Sequence, residues 1–111
     1  MPVFAVTTAR GPGWDPSRDI RSQYGWDPHG AYMDTLLEQG VIILGGPIDG
    51  EPDEVALVAM QADTADHVRL IFDTDPWIVT GVLRLASIRP WRLWLDSRPQ
   101  SGGGADPQPG Q

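Results

Sequence analysis

The order of apolar segments predicts an α+β domain in the split βαβ arrangement: strand, helix, strand, strand, helix, strand, giving a four-stranded antiparallel sheet with two helices on one face. Three observations carry this reading. PHGAYMDTLLEQ and TADHVRLIF hold apolar side chains at three- and four-residue spacings, the period of a helix with one buried face. PVFAVTTA, VIILGGPI, EVALVAMQ and VLRLASIRPWRLWL are rich in β-branched and other apolar residues and are bounded by turn formers. A chain of 111 residues with 41% apolar content has room for one core and not two.

Strand one covers residues 2 to 9 and stops at RGPG. Residues 10 to 26 show no sustained period and carry Trp14, Arg18, Arg21, Tyr24 and Trp26. A loop of that length in a small domain usually covers a binding site. Asp27 is placed to cap a helix, Pro28 suits its first position and Gly40 its stop, so helix one runs from about 28 to 39, with Tyr32, Met33, Leu36 and Leu37 on its apolar face. Strands 41–48 and 54–61 form a hairpin joined by DGEPD, whose acids lack the spacing of a calcium loop. Within strand two, Gly45-Gly46 marks either a bulge or the close approach of a backbone or ligand. Thr64 opens helix two, about 64 to 72, buried through Ala65, Val68, Ile71 and Phe72, with His67 facing solvent. Asp75-Pro76 repeats the Asp27-Pro28 arrangement and predicts a further helical turn. Residues 82–95 read as a long last strand, broken or bulged at Pro90. The remainder is rich in Gly, Pro, Ser and Gln, so the reading is a domain over 1–96 and a disordered tail over 97–111.

Composition excludes several classes of function. The formal charge is -7, and all eight basic groups are dispersed arginines, which argues against a nucleic-acid partner but leaves an anionic small molecule open. Without cysteine there are no disulfides, thiolate nucleophiles or zinc-thiolate sites, and two histidines far apart make a histidine-rich metal site improbable, so no metal is expected. No Gly-rich phosphate loop follows a strand, and no serine or lysine stands in a nucleophile motif. No stretch reaches the ~18 apolar residues of a membrane span, and the first residues do not read as a signal peptide, so the expectation is a soluble, cytoplasmic protein.

Strands this apolar require cover on both faces of the sheet. Strands one, two and three are nearly continuously apolar and strand four adds Leu83, Leu85, Trp91, Leu93 and Trp94, while the helices cover one face only. A homodimer follows as the expectation, two sheets meeting face to face over ~800 Å² per partner in a barrel-like assembly.

The segments WDPHGAYMDTLLEQGVIILGGPI and DTDPWIVTGVLRLASIRPW, with an apolar strand and helix between them, resemble the YCII-related family of dimeric α/β-barrel proteins. The similarity spans about residues 2 to 95: a histidine at the start of helix one, GGP on strand two, Asp-Pro after helix two, and a closing strand ending in Pro-Trp. The resemblance implies a ferredoxin-like fold and an active site built from His29 and Asp75. It implies an arginine a few residues before the histidine, for which Arg18 and Arg21 both compete. Most members have no established reaction; one relative is a dehydrochlorinase acting on a chlorinated hydroquinone without metal or organic cofactor.

Elementary chemistry supports that pair. The positive end of a helix favours a neutral imidazole, which can serve as a general base. A carboxylate on the other ring nitrogen, the role assigned to Asp75, fixes the tautomer and stabilises the imidazolium when it forms. Trp26 and Trp77 are candidate aromatic walls, and Arg18 or Arg21 could hold a carboxylate, phenolate or enolate oxygen. The blander alternative makes Asp27 and Asp75 plain helix caps, with His29 in water and both tryptophans in packing. Two functions follow: a cofactor-independent lyase or isomerase acting by proton transfer on a phenolic or anionic small molecule, or a non-catalytic small-molecule-binding or accessory protein on the same scaffold.

Overall fold

Strand β1 (Val3–Arg10) occupies the middle of the sheet, because both later crossovers return beside it. The computed structural model describes residues 1–99. After β1 come a single 3-10 turn (Ile20–Ser22), α1 (Trp26–Glu38), β2 (Ile42–Pro47), β3 (Glu54–Gln61), α2 (Ala65–Asp73), the short α3 (Pro76–Thr80) and β4 (Leu83–Pro90). The strand order is β2-β3-β1-β4, every neighbouring pair antiparallel. This is the α+β, ferredoxin-like arrangement expected from the sequence. From residue 100 onward, the expected disordered tail lies outside the described residues.

Alternation along the strands puts Phe4 and Val6 of β1 opposite Met60 and Val58 of β3, and these side chains meet Leu36, Val68 and Phe72 of the helices in one core. Each such side chain, fully buried, contributes roughly 1.5–3 kcal/mol. A second cluster, Val55, Trp77, Val82 and Leu83, sits where α3 joins β4 and is covered by Trp14, Ile20 and Trp26 of the long loop and the start of α1.

Strict alternation would misplace several residues, and three register slips repair this. Val55 is the extra residue of β3 opposite Thr8 and Ala9, Ala86 the extra residue of β4 opposite Thr7 and Thr8, and Ile43 the extra residue of β2 between Ile42 and Leu44. A bulge shifts the phase of a strand by one residue. Leu83 and Leu85 therefore face the helices, as does Ile88, while Ser87 turns outward and its hydroxyl meets that of Thr7 at 2.6 Å.

Four expectations change. Helix α1 begins at Trp26, entered through Gly25 at φ 83°, so Asp27 lies inside the first turn and does not cap. A glycine takes this left-handed conformation without the cost a side chain would add. Leu37 is 53% exposed and leaves the helix-on-sheet core to Leu36. Strand β4 ends at Pro90: the Trp91 amide still reaches the Val3 carbonyl at 2.8 Å, but β1 begins there and offers nothing further, so Trp94 and Leu95 stand exposed off the sheet. The open sheet face is also less apolar than the sequence implied, because the bulge at Ala86 turns Leu85 inward while exposed Arg84 and Arg89 and half-buried Ser87 flank Leu44, Leu57 and Ala5.

Candidate functional site

Asp75 is the N-cap of α3. Its Oδ1 accepts the Trp77 backbone N–H at 3.0 Å, satisfying one of the donors a helix start leaves over, and Pro76 at the first position needs no partner. The same oxygen lies 2.8 Å from Nδ1 of His29, forty-six residues earlier in the chain. Asp75 is fully buried and His29 is 9% exposed. Capping and the contact to histidine are therefore two uses of one carboxylate oxygen, and the ring does not point into water.

His29 is held from a second side. The Trp77 ring stacks on the imidazole at 3.9 Å between centroids and 10° between planes, and Trp26 stands at 6.0 Å. Trp77 is itself fixed, since its indole N–H donates to the Tyr24 carbonyl at 2.7 Å, tying α3 to the loop that enters α1. With Nδ1–H directed at the carboxylate, the acceptor lone pair of the neutral ring lies on Nε2. That nitrogen has no hydrogen-bond partner among the described residues and is not sealed by protein. The second carboxylate oxygen, Oδ2, is buried and without a partner among the described residues.

A cavity of about 310 Å³ lies between α1 and the sheet, lined among others by His29, Trp77, Trp26, Thr8, Ala56 and Arg21. A shallower surface recess of about 410 Å³ along α1 shares Trp26, His29, Met33 and Asp34 with it. The cavity under α1 is partly open to solvent but more enclosed than the recess, and burial is what a small ligand requires. The two candidate arginines separate here. Arg21 lines the cavity with its guanidinium 5.8 Å from the Trp26 ring and makes no ion pair among the described residues. Arg18 turns to Asp15 at 3.4 Å and to the Ser22 carbonyl at 3.3 Å, outside the cavity wall.

Sequence reasoning missed the residue that shapes the long loop. Gln23 is 3% exposed; its amide oxygen accepts from the Asp15 N–H, and its amide nitrogen donates to the carbonyls of Asp15, Arg18 and Asp19. Around it, hydrogen bonds from Ser17 lower the Asp15 carboxyl below its ordinary value, and those from Ser22 do the same for Asp19. Nothing in the sequence singles out a glutamine that bonds across eight residues of irregular chain. Thr8 follows Phe4 and Val6 inward by plain alternation along β1, but alternation alone does not mark a threonine as lining a cavity. The Gly45-Gly46 pair resolves toward close approach, since the bulge sits at Ile43 and a Cβ on Gly45 would lie 3.1 Å from the Val58 side chain and 3.2 Å from the Leu57 carbonyl. Among the described residues no three His, Asp or Glu side chains gather as a metal-donor set, and no helix is long and apolar enough to cross a membrane.

No family model matches the sequence, and no curated protein matches it. Among solved structures the chain is similar to a 5-chloro-2-hydroxyhydroquinone dehydrochlorinase from Burkholderia phenoliruptrix, determined in complex with 2,5-dihydroxybenzoquinone. The TM-score is 0.51 and the identity 22%, over 82% of this chain and 92% of that one. Similarity at this level establishes the shared fold.

Proposed function

We propose that this chain is a small-molecule enzyme of the lyase or isomerase type, working in the cytoplasm as a homodimer of the YCII-related kind, in which His29 moves a proton and Asp75 orients it. The observation that carries the reading is the 2.8 Å contact between Asp75 Oδ1 and Nδ1 of His29, a residue that lines the partly open cavity under α1. A base must have its acceptor nitrogen facing the substrate and its other nitrogen held; the Asp75 contact to Nδ1 supports the second requirement, and a partner-free Nε2 is consistent with the first. Nε2 takes a proton from an acidic C–H or O–H of the bound molecule; the imidazolium so formed is stabilised by the buried carboxylate and returns the proton to another atom of the substrate or to the leaving group. Arg21, at the cavity wall, is placed to meet the phenolate or enolate oxygen on which charge develops. The structural neighbour is named for removing chloride from a hydroxylated ring, which supports a phenolic or enolisable substrate here. Leu44, Leu57, Val3 and Ala5 on the uncovered sheet face support pairing with a second copy.

The test is solvent-deuterium exchange into phenolic and enolisable compounds, chlorinated hydroquinones and 2,5-dihydroxybenzoquinone among them, followed by NMR. Wild type should accelerate exchange or elimination on at least one of them, with a loss of 10²-fold or more in His29→Gln. A wild type that binds such compounds tightly yet catalyses no exchange on any would replace the enzyme reading with that of a non-catalytic binding protein.

A further inference from the structure

We infer that Thr8 is a ligand-binding residue of the same cavity, and that the cavity takes a small aromatic acid with a hydroxyl at the end opposite its carboxylate. This rests on the acid-base reading for its location but on different atoms for its support. Thr8 is 2% exposed, lines the cavity, and its hydroxyl has no hydrogen-bond partner among the described residues. Its neighbour Thr7 bonds Ser87, so the strand can satisfy a threonine where it faces the other way. Valine has the same shape, suits a strand equally well and leaves no polar atom stranded; a buried hydroxyl without a partner lowers stability unless something else completes it.

The two strands that flank this residue are irregular beside it. β3 slips past β1 on the far side of Thr8 and β4 slips on its near side, so one extra residue in each flanking strand sets the phase of the sheet around it. Thr8 itself points inward by the alternation of β1, with Phe4 and Val6; the bulges fix which residues of β3 and β4 stand beside it. The inward residue across β3 is Ala56, which also lines the cavity and leaves room over Thr8. Rotation about χ1 exchanges hydroxyl and methyl within one volume, so a ligand oxygen can be met without moving the backbone.

The other polar groups of the wall set the rest of the ligand. Arg21 supplies a cation that makes no ion pair among the described residues, with Asp19 near it and Asp34 also in the lining, and Val58, Leu83, Ile42 and Met33 make much of the remaining wall apolar. An apolar body with an anion at one end and a hydroxyl at the other would meet Arg21, the apolar side chains and Thr8.

Calorimetry on the full chain with 4-hydroxybenzoate and benzoate tests this without turnover. Wild type should prefer 4-hydroxybenzoate by about tenfold, Thr8→Val should abolish that preference while leaving benzoate affinity unchanged, Thr8→Ser should keep it, and Arg21→Gln should weaken both acids. Thr8→Val should unfold at the same temperature as wild type or higher. Equal wild-type affinities, an unchanged preference in Thr8→Val, no binding of either acid, or a lowered unfolding temperature in Thr8→Val would each overturn the inference. Because affinity is read without catalysis, failure here leaves the His29 chemistry standing, and failure of that chemistry leaves this comparison standing.

Discussion

Asp75 combines two tasks that substitution can pull apart. As a cap it can be replaced by asparagine, which is equally effective at that position; as an anion beside imidazole it cannot. Asp75→Asn should therefore stay within about 1 kcal/mol of wild type in urea denaturation while catalysed exchange falls by 10²-fold or more. Asp75→Ala should lose about 2–4 kcal/mol, the cap plus the stranded imidazole nitrogen. Equal stability losses in the two variants would reduce Asp75 to a packing role. Trp77→Phe tests the tie between α3 and the loop. It keeps an aromatic face against His29 but removes the indole N–H from the Tyr24 carbonyl, and should cost about 1–3 kcal/mol while raising hydrogen exchange at residues 24–26.

Among the elements, the turn after β1 is the least forgiving. Gly11 donates to the Val82 carbonyl and Gly13 to that of Gly81, so the loop is stitched to the entrance of β4 by backbone alone. A Cβ on Gly11 would lie 2.1 Å from the Gly81 carbonyl oxygen and 2.9 Å from its carbon, with no flexible side chain to give way. Gly11→Ala should cost more than about 2 kcal/mol by thermal or urea unfolding, whereas Gly46→Ala, where a Cβ meets nothing within 4 Å, should change little. The loop that follows depends on pH. The Asp15 and Asp19 carboxyls are held below their ordinary values by bonds from Ser17 and Ser22, so their contribution is complete above about pH 4 and is lost as pH falls through the lower folded values. The amides of Ser17 and Ser22 should accordingly shift and lose exchange protection in acid before the sheet does, as an NMR titration would show.

At the scale of the whole molecule the open sheet face decides assembly. Leu57 sits on it half-buried between Thr7 and Gly46, and Leu44 is 60% exposed at its edge. A charge placed there costs the monomer little and an apolar interface a great deal. Sedimentation of wild type should give a dimer at micromolar concentration and Leu57→Glu a folded monomer. A wild-type monomer would remove the face-to-face pairing without touching the His29 site.

The sequence by itself determined the element order, both main helices, the helical turn after Asp75-Pro76 and the pairing of β2 with β3, because these follow from local periodicity and turn chemistry; Asp-Pro alone did not fix a cap, since at 27–28 the same pair lies inside a helix entered through Gly25. The resemblance named His29 and Asp75, yet residue types alone could not separate capping from chemistry; one carboxylate oxygen serving both the Trp77 amide and the imidazole is a contact across forty-six residues that no spacing reveals. Tertiary structure alone chose Arg21 over Arg18 as the cavity arginine, because Asp15 and Ser22 engage Arg18 within the loop. It alone turned Leu85 inward and Ser87 outward, because a register slip depends on how two strands fit against each other and leaves no mark on either strand read singly; alternation along β1 already turns Thr8 inward, and tertiary structure added the cavity it lines.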